Sequence, residues 1–86
     1  MLVDKLIAAL VERSGLGYNG MSRELGKSRE WARMTARAGR VPSIGTVADV
    51  AAVAGCDVCV IDRETGAIVA TVTPPRSARQ EGGADA

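Results

Sequence analysis

The 86-residue chain contains no histidine and no phenylalanine, and its aromatics are one Trp and one Tyr. Without histidine it lacks the side chain that most readily moves protons near neutral pH. No paired buried carboxylates replace it, and Ser14, Ser22 and Ser28 have no visible base, so the expectation is a protein that is not an enzyme. Two cysteines are too few for a disulfide scaffold. Cys56-Asp57-Val58-Cys59 has C-x-x-C spacing, but zinc would need two further ligands that a chain without histidine or a third cysteine does not supply. A redox pair would normally sit at a helix N-terminus rather than on a strand, so strand packing is the expected role, with no metal and no cofactor. No apolar run approaches the ~20 residues needed to cross a bilayer. Met1 to Lys5 carries no basic region ahead of an apolar block, so no signal peptide is expected and the cytoplasm is the simplest location.

What is present is a folded composition, 47% hydrophobic, with a core to be built from Ala, Val, Leu, Ile and Met. The length fits one domain, and a domain this small buries a modest core, which favours self-association. The net charge is only +1, but it is unevenly spread. Met1–Ser43 carries +4 and Ile44–Ala86 carries −3; within Arg23–Arg40 six basic residues face two acidic ones. A basic segment in a near-neutral chain reads either as a polyanion-binding face or as an ordinary solvated helix surface.

Hydrophobic spacing predicts four helices. Leu2, Val3, Leu6, Ile7 and Leu10 recur at three- and four-residue steps and mark an amphipathic helix that stops before Gly15-Leu16-Gly17. A short helix over about Asn19–Leu25 follows, with Met21 and Leu25 on one face and Gly26 ending it. Ser28 is the expected N-cap of a third helix, Arg29–Ala38, with Trp31, Met34, Thr35 and Ala38 along one stripe and Arg29, Arg33, Arg37 and Arg40 along another. Pro42-Ser43 should open the fourth, whose stripe is Ile44, Val47, Val50, Ala51 and Ala54. Gly15-Leu16-Gly17-Tyr18-Asn19-Gly20 matches G-x-G-x-x-G, but a helix precedes it where the dinucleotide fingerprint needs a strand, so it is read as a loop between helices.

After Gly55 the character changes. Val58–Ile61 and Ala67–Val72 are β-branched runs separated by Asp62-Arg63-Glu64-Thr65-Gly66, which predicts a β-hairpin. Both faces of the hairpin are apolar. One can cover the helices; the other, drawn from Val58, Val60, Ile61, Ile68, Val69 and Val72, then needs a partner, and a second copy is the simplest. The polar segment from Pro74 onward is expected to be a disordered tail.

Two helices joined by a tight glycine turn, the second of them basic, describe a helix-turn-helix over roughly Tyr18–Arg37. Met21-Ser22-Arg23-Glu24-Leu25-Gly26-Lys27-Ser28-Arg29 resembles the helix-turn-helix of the Cro and phage-repressor (XRE) family. Gly39-Arg40-Val41-Pro42-Ser43-Ile44-Gly45-Thr46-Val47 resembles that family's loop after the recognition helix. The resemblance covers about Leu2–Val58. Lys27 stands where the family has an apolar turn residue, and Ala32 and Thr35 where it buries Ile or Leu; Trp31 and Met34 are expected to fill that space.

The resemblance implies a mainly α fold, a four-helix lambda-repressor-like helix-turn-helix domain over 1–55; the residues that follow add a β-hairpin over 56–73 as dimerisation element and a disordered tail over 74–86. The resemblance also implies DNA-facing positions at Ser28, Arg29, Glu30, Arg33 and Arg37. Arg29 and Arg33 are favoured for bases, because the guanidinium fork matches the two acceptors of guanine, and Glu30 can accept from cytosine. Tyr18, Asn19, Lys27 and Arg40 are better placed for phosphates. The expected function is a DNA-binding repressor acting as a homodimer on a palindromic operator. The rival reading is a helix-turn-helix interaction protein, such as an antitoxin or a phage-encoded inhibitor, that binds a protein partner through the hairpin or the tail.

Overall fold

A computed structural model describes residues 1–76. In chain order these form α1 (Val3–Ser14), α2 (Gly17–Glu24), α3 (Trp31–Thr35), α4 (Ile44–Val53), β1 (Val58–Ile61) and β2 (Ile68–Val72). The described chain is thus mainly helical, with one two-stranded antiparallel sheet after the helices. No helix among the described residues is long and apolar enough to cross a membrane.

The core lies where α1, α2, α3 and α4 meet. Ile7 and Val11 of α1, Met21 of α2, Ala32 of α3, and Val47 and Val50 of α4 are buried there, with Leu25. Leu2 does not join the apolar stripe: it precedes the helix as its cap and stays 74% exposed, while Val11, one turn beyond Ile7, is the buried residue. Arg13 ties α1 to the end of α4, its Nε donating to the carbonyl of Ala54 at 3.2 Å.

The segment read as a glycine loop is mostly helix, because α2 begins at Gly17. The link from α1 shrinks to Gly15-Leu16. Ser14 makes so short a link workable: its Oγ donates to the Val11 carbonyl and accepts from the Leu16 amide.

The third helix departs furthest from expectation. It spans five residues rather than ten, and Ser28 does not cap it with its side chain. The Ser28 carbonyl instead accepts from the Trp31 amide in a preceding turn. The side chain that serves the first turn of α3 comes from α2: Ser22 Oγ, fully buried, accepts from the Ala32 amide at 2.9 Å. Early termination has local causes. Thr35 Oγ1 donates to the Trp31 carbonyl at 2.7 Å, a side-chain bond that competes with the helix ladder. Past the helix, Asp4 Oδ2 accepts from the Gly39 amide and fixes the exit to α1. The buried face also differs from the expected stripe. Ala32 is buried, Trp31 and Thr35 are half-buried, and Met34 and Ala38 point to solvent. A small side chain at 32 lets α3 approach α2 closely enough for the serine to reach its backbone.

Ser43 caps α4 as expected, accepting from the Thr46 amide at 3.1 Å. Val47, Ala48, Val50 and Ala51 are buried, whereas Ile44, the first residue of the helix, overhangs the packed face and is 62% exposed.

The hairpin does not lay a face over the helices as expected. Only its root is partly covered, at Val58, Cys59 and Val72. Val60, Ile61, Ile68 and Val69 are all more than half exposed. The register pairs Val58 with Val72, Val60 with Ala70 and Ile61 with Ile68, so Val69 is an extra, bulged residue. Ala67 falls in the loop rather than the strand, its carbonyl accepting from the Asp62 amide. The Asp62 carboxylate accepts from the amides of Thr65 and Glu64, and these bonds, the one from Thr65 above all, hold its pKa below the ordinary carboxylate value.

Pro74–Arg76, expected to begin a free tail, returns onto the helices. The Arg76 amide donates to Asp49 Oδ1 at 3.0 Å. Pro75 sits over Gly45, where a Cβ would stand 2.9 Å from its ring. The Arg76 guanidinium lies against Gly26, which ends α2 with a left-handed φ of +67°. The remainder of the expected tail, 77–86, lies outside the described residues.

Two outcomes are expected. Ser22→Ala strands a buried amide and should cost about 1–3 kcal/mol in urea denaturation; Ser28→Ala should change stability by less than about 0.5 kcal/mol. Equal losses at the two sites would contradict the buried cap. For Asp62, the folded-state pKa is lowered, so its contribution to loop stability is present above the ordinary carboxylate value and fades as pH falls through the lowered one. Protection of the Glu64 and Thr65 amides, taken relative to their intrinsic exchange rate at each pH, should therefore fall on acidification, and Asp62→Ala should show low protection already at neutral pH.

Candidate nucleic-acid interface

The site follows from the way α2 and α3 are joined. Gly26 ends α2, the Lys27 amide donates to the Ser22 carbonyl at 2.8 Å, and Ser22 Oγ then receives the Ala32 amide. One serine therefore fixes both the turn and the start of α3. Everything between them, Lys27 to Glu30, is exposed.

The expected residues separate into groups. Arg33 Nη1 donates to Glu30 Oε2 at 2.7 Å, and the guanidinium also lies 5.8 Å from the centre of the Tyr18 ring. Both partners of this ion pair are about half exposed, at 54% and 55%. A pair so open to water is worth about 0–1 kcal/mol, so it orients the two side chains without locking them away from a ligand. Lys27 Nζ stands 5.7 Å from the centre of the Trp31 ring, a cation–π contact that holds the lysine beside the start of α3.

Asn19, Lys27 and Arg29 line one open cleft together with Arg23, a residue that the reading of the sequence did not single out. Its signal was its place in the basic segment, four residues before Lys27; what was missing was the direction of the α2 surface. Arg40 is not brought to this cleft. It lines a separate groove with Trp31, Thr35, Val41, Pro42, Ser43 and Thr46, on the α4 side of α3. Ser28 and Arg37 are exposed, at the approach to α3 and just past its end.

Among the described residues, polar satisfaction is incomplete at two buried atoms, Asp4 Oδ1 and Asn19 Oδ1, neither of which has a hydrogen-bond partner. For Asp4 the second oxygen is engaged with Gly39.

Chemically, the surface offers hydrogen-bond donors and positive charge at Lys27, Arg29 and Arg33, with one carboxylate acceptor at Glu30. Donor-rich guanidinium groups suit phosphate oxygens and the acceptor edge of guanine, and a single carboxylate suits the amino group of cytosine. The two cysteines are free and half-buried at the root of the hairpin. No cluster of three metal-ligating side chains occurs among the described residues. Comparison with protein-family models, with curated proteins and with solved structures gives no match for this chain.

Proposed function

We propose that the chain is a sequence-specific DNA-binding regulator, a cytoplasmic repressor that works as a homodimer on a palindromic operator, with α2 and α3 as its helix-turn-helix. The observation that carries this reading is that two helices joined through a buried serine present two exposed groups, the cleft of Asn19, Arg23, Lys27 and Arg29 and the Glu30–Arg33 pair beside Tyr18. In this account the approach to α3 enters the major groove, where Arg33 and Glu30 meet base edges, while cations on α2 and the turn hold the phosphates. Arg37, just beyond α3, and Arg40, in its separate groove, extend the positive surface.

The exposed hairpin supports the homodimer. A two-stranded ribbon is marginal by itself, and this one leaves Val60, Ile61, Ile68 and Val69 uncovered. A second copy meeting it would set two reading heads at a fixed distance, matching half-sites roughly 34 Å apart. The same uncovered surface is what favours the second reading, in which the hairpin binds a different protein.

Selection of bound sites from random duplex DNA separates the two. A palindromic consensus is expected, with affinity that falls steeply with salt. Arg33→Ala should cost about 1–3 kcal/mol at one base position and relax preference there, while Lys27→Ala should weaken all sequences alike. Salt-sensitive binding without any enriched sequence would favour the protein-partner reading. Light scattering at micromolar concentration should give a dimer, and the double substitution Ile68→Lys with Val69→Lys should give a monomer with unchanged helix content. A wild-type monomer would remove the dimer from the account.

A further inference from the structure

Four side chains from three neighbouring stretches line the cleft on the outer side of α2: Asn19 and Arg23 from the helix, Lys27 from the turn, and Arg29 from the approach to α3. No acidic side chain lines it. The two nearest acids in sequence are directed elsewhere, since Glu24 lines a different cleft with Asp49 and Arg76, and Glu30 is bonded to Arg33. Three cations therefore share one concavity without a carboxylate among them, an arrangement that repels itself until an anion arrives. Lys27 is held in place from two directions, by its amide on the Ser22 carbonyl and by its ammonium over Trp31. Asn19 lines the same cleft, and its buried Oδ1 has no hydrogen-bond partner.

From this geometry we infer that Arg23, Lys27 and Arg29, with Asn19, clamp two successive phosphates of one DNA strand, and that Arg29 grips this backbone rather than a base edge. The inference rests on the DNA-binding reading and sharpens it. One diester carries a single negative charge, so three cations in one cleft match two neighbouring diesters better than one. Reading of sequence then falls to Glu30 and Arg33, which stand apart from the cleft as a bonded pair beside Tyr18. Arg29, although it lies next to Glu30 in the chain, works on register.

The test uses the full chain and two probes. On the selected duplex, the variant carrying Arg23→Ala, Lys27→Ala and Arg29→Ala should flatten the slope of log K against log salt by about 1.8, the value for two phosphates. Arg29→Ala alone should flatten it in the same direction and lower affinity by the same factor on selected and unselected duplexes. All three side chains are exposed, and an unchanged thermal melt would show that the fold is retained. On the free protein, inorganic pyrophosphate should shift the NMR signals of the Asn19 side-chain amide and the Arg23 and Arg29 Nε–H groups, and the triple variant should lose the Asn19 shift.

A wild-type slope in Arg29→Ala, with preference lost at one base pair, would overturn the inference while leaving the DNA-binding reading intact. So would pyrophosphate shifts as large at Arg33 and Arg37 as in the cleft. Failure of the wild-type chain to bind any duplex would overturn the DNA-binding reading, and the phosphodiester ligand with it.

Discussion

A single buried hydroxyl ties together α2 and α3, the two helices that carry the candidate interface. Ser22 Oγ lies in the core with no exposed surface and receives the amide of Ala32, while the Ser22 carbonyl receives the amide of Lys27. Helix α3 has five residues, far below the ~12–15 at which an isolated helix becomes even marginally stable in water. Its existence therefore depends on what it is packed against and bonded to. Ala32 provides the packing and Ser22 the bond, and they act on the same turn. A larger residue at 32 would push the helix off α2 and break the bond; an apolar residue at 22 would leave an amide buried without a partner.

From that constraint the rest of the surface follows. Because α3 is short and tied at its start, the basic residues around it do not form one continuous stripe. They divide into the Asn19, Arg23, Lys27 and Arg29 cleft, the Glu30–Arg33 pair beside Tyr18, and Arg40 in a groove facing α4. A ten-residue helix would have carried Arg29, Arg33 and Arg37 along one side at regular spacing. Here Thr35 bonds back to Trp31, the chain bends, and Asp4 fastens Gly39 to the first helix. The proposed division of labour between backbone and base contacts is a consequence of this interruption.

The sequence carried the number and order of elements because hydrophobic spacing and glycine stops are local. Ser43 as a cap is one such local feature, and the bond to Thr46 is three residues away. Ser28 has the same local credentials and does not cap: α3 starts only at Trp31, with Glu30 at its cap position, and the side chain that reaches its first turn is Ser22, ten residues before Ala32. That contact is tertiary and leaves no periodic trace. Met34 and Ile44 fit their apolar stripes by spacing yet remain exposed, since which arc of a helix is covered depends on where its neighbour ends. Most candidate interface residues were readable from charge and motif, whereas Arg23 was not. Its partnership with Lys27 and Arg29 exists only once the turn at Gly26 brings the α2 surface beside the approach to α3. Likewise Pro74–Arg76 looks polar and breaker-rich in sequence, but its contacts with Gly45, Asp49 and Gly26 depend on the hairpin turning the chain back.

The hairpin and the basic face lie at different places in the fold and have different chemistry, which makes their roles separable. Mapping amide and guanidinium NMR shifts while a selected duplex is added tests the central claim most directly. The account predicts changes concentrated at Tyr18, Asn19, Arg23 and the stretch from Lys27 to Arg37, with the tip of the hairpin, Asp62–Gly66, unmoved. Shifts centred on the hairpin, with α2 and α3 silent, would contradict it.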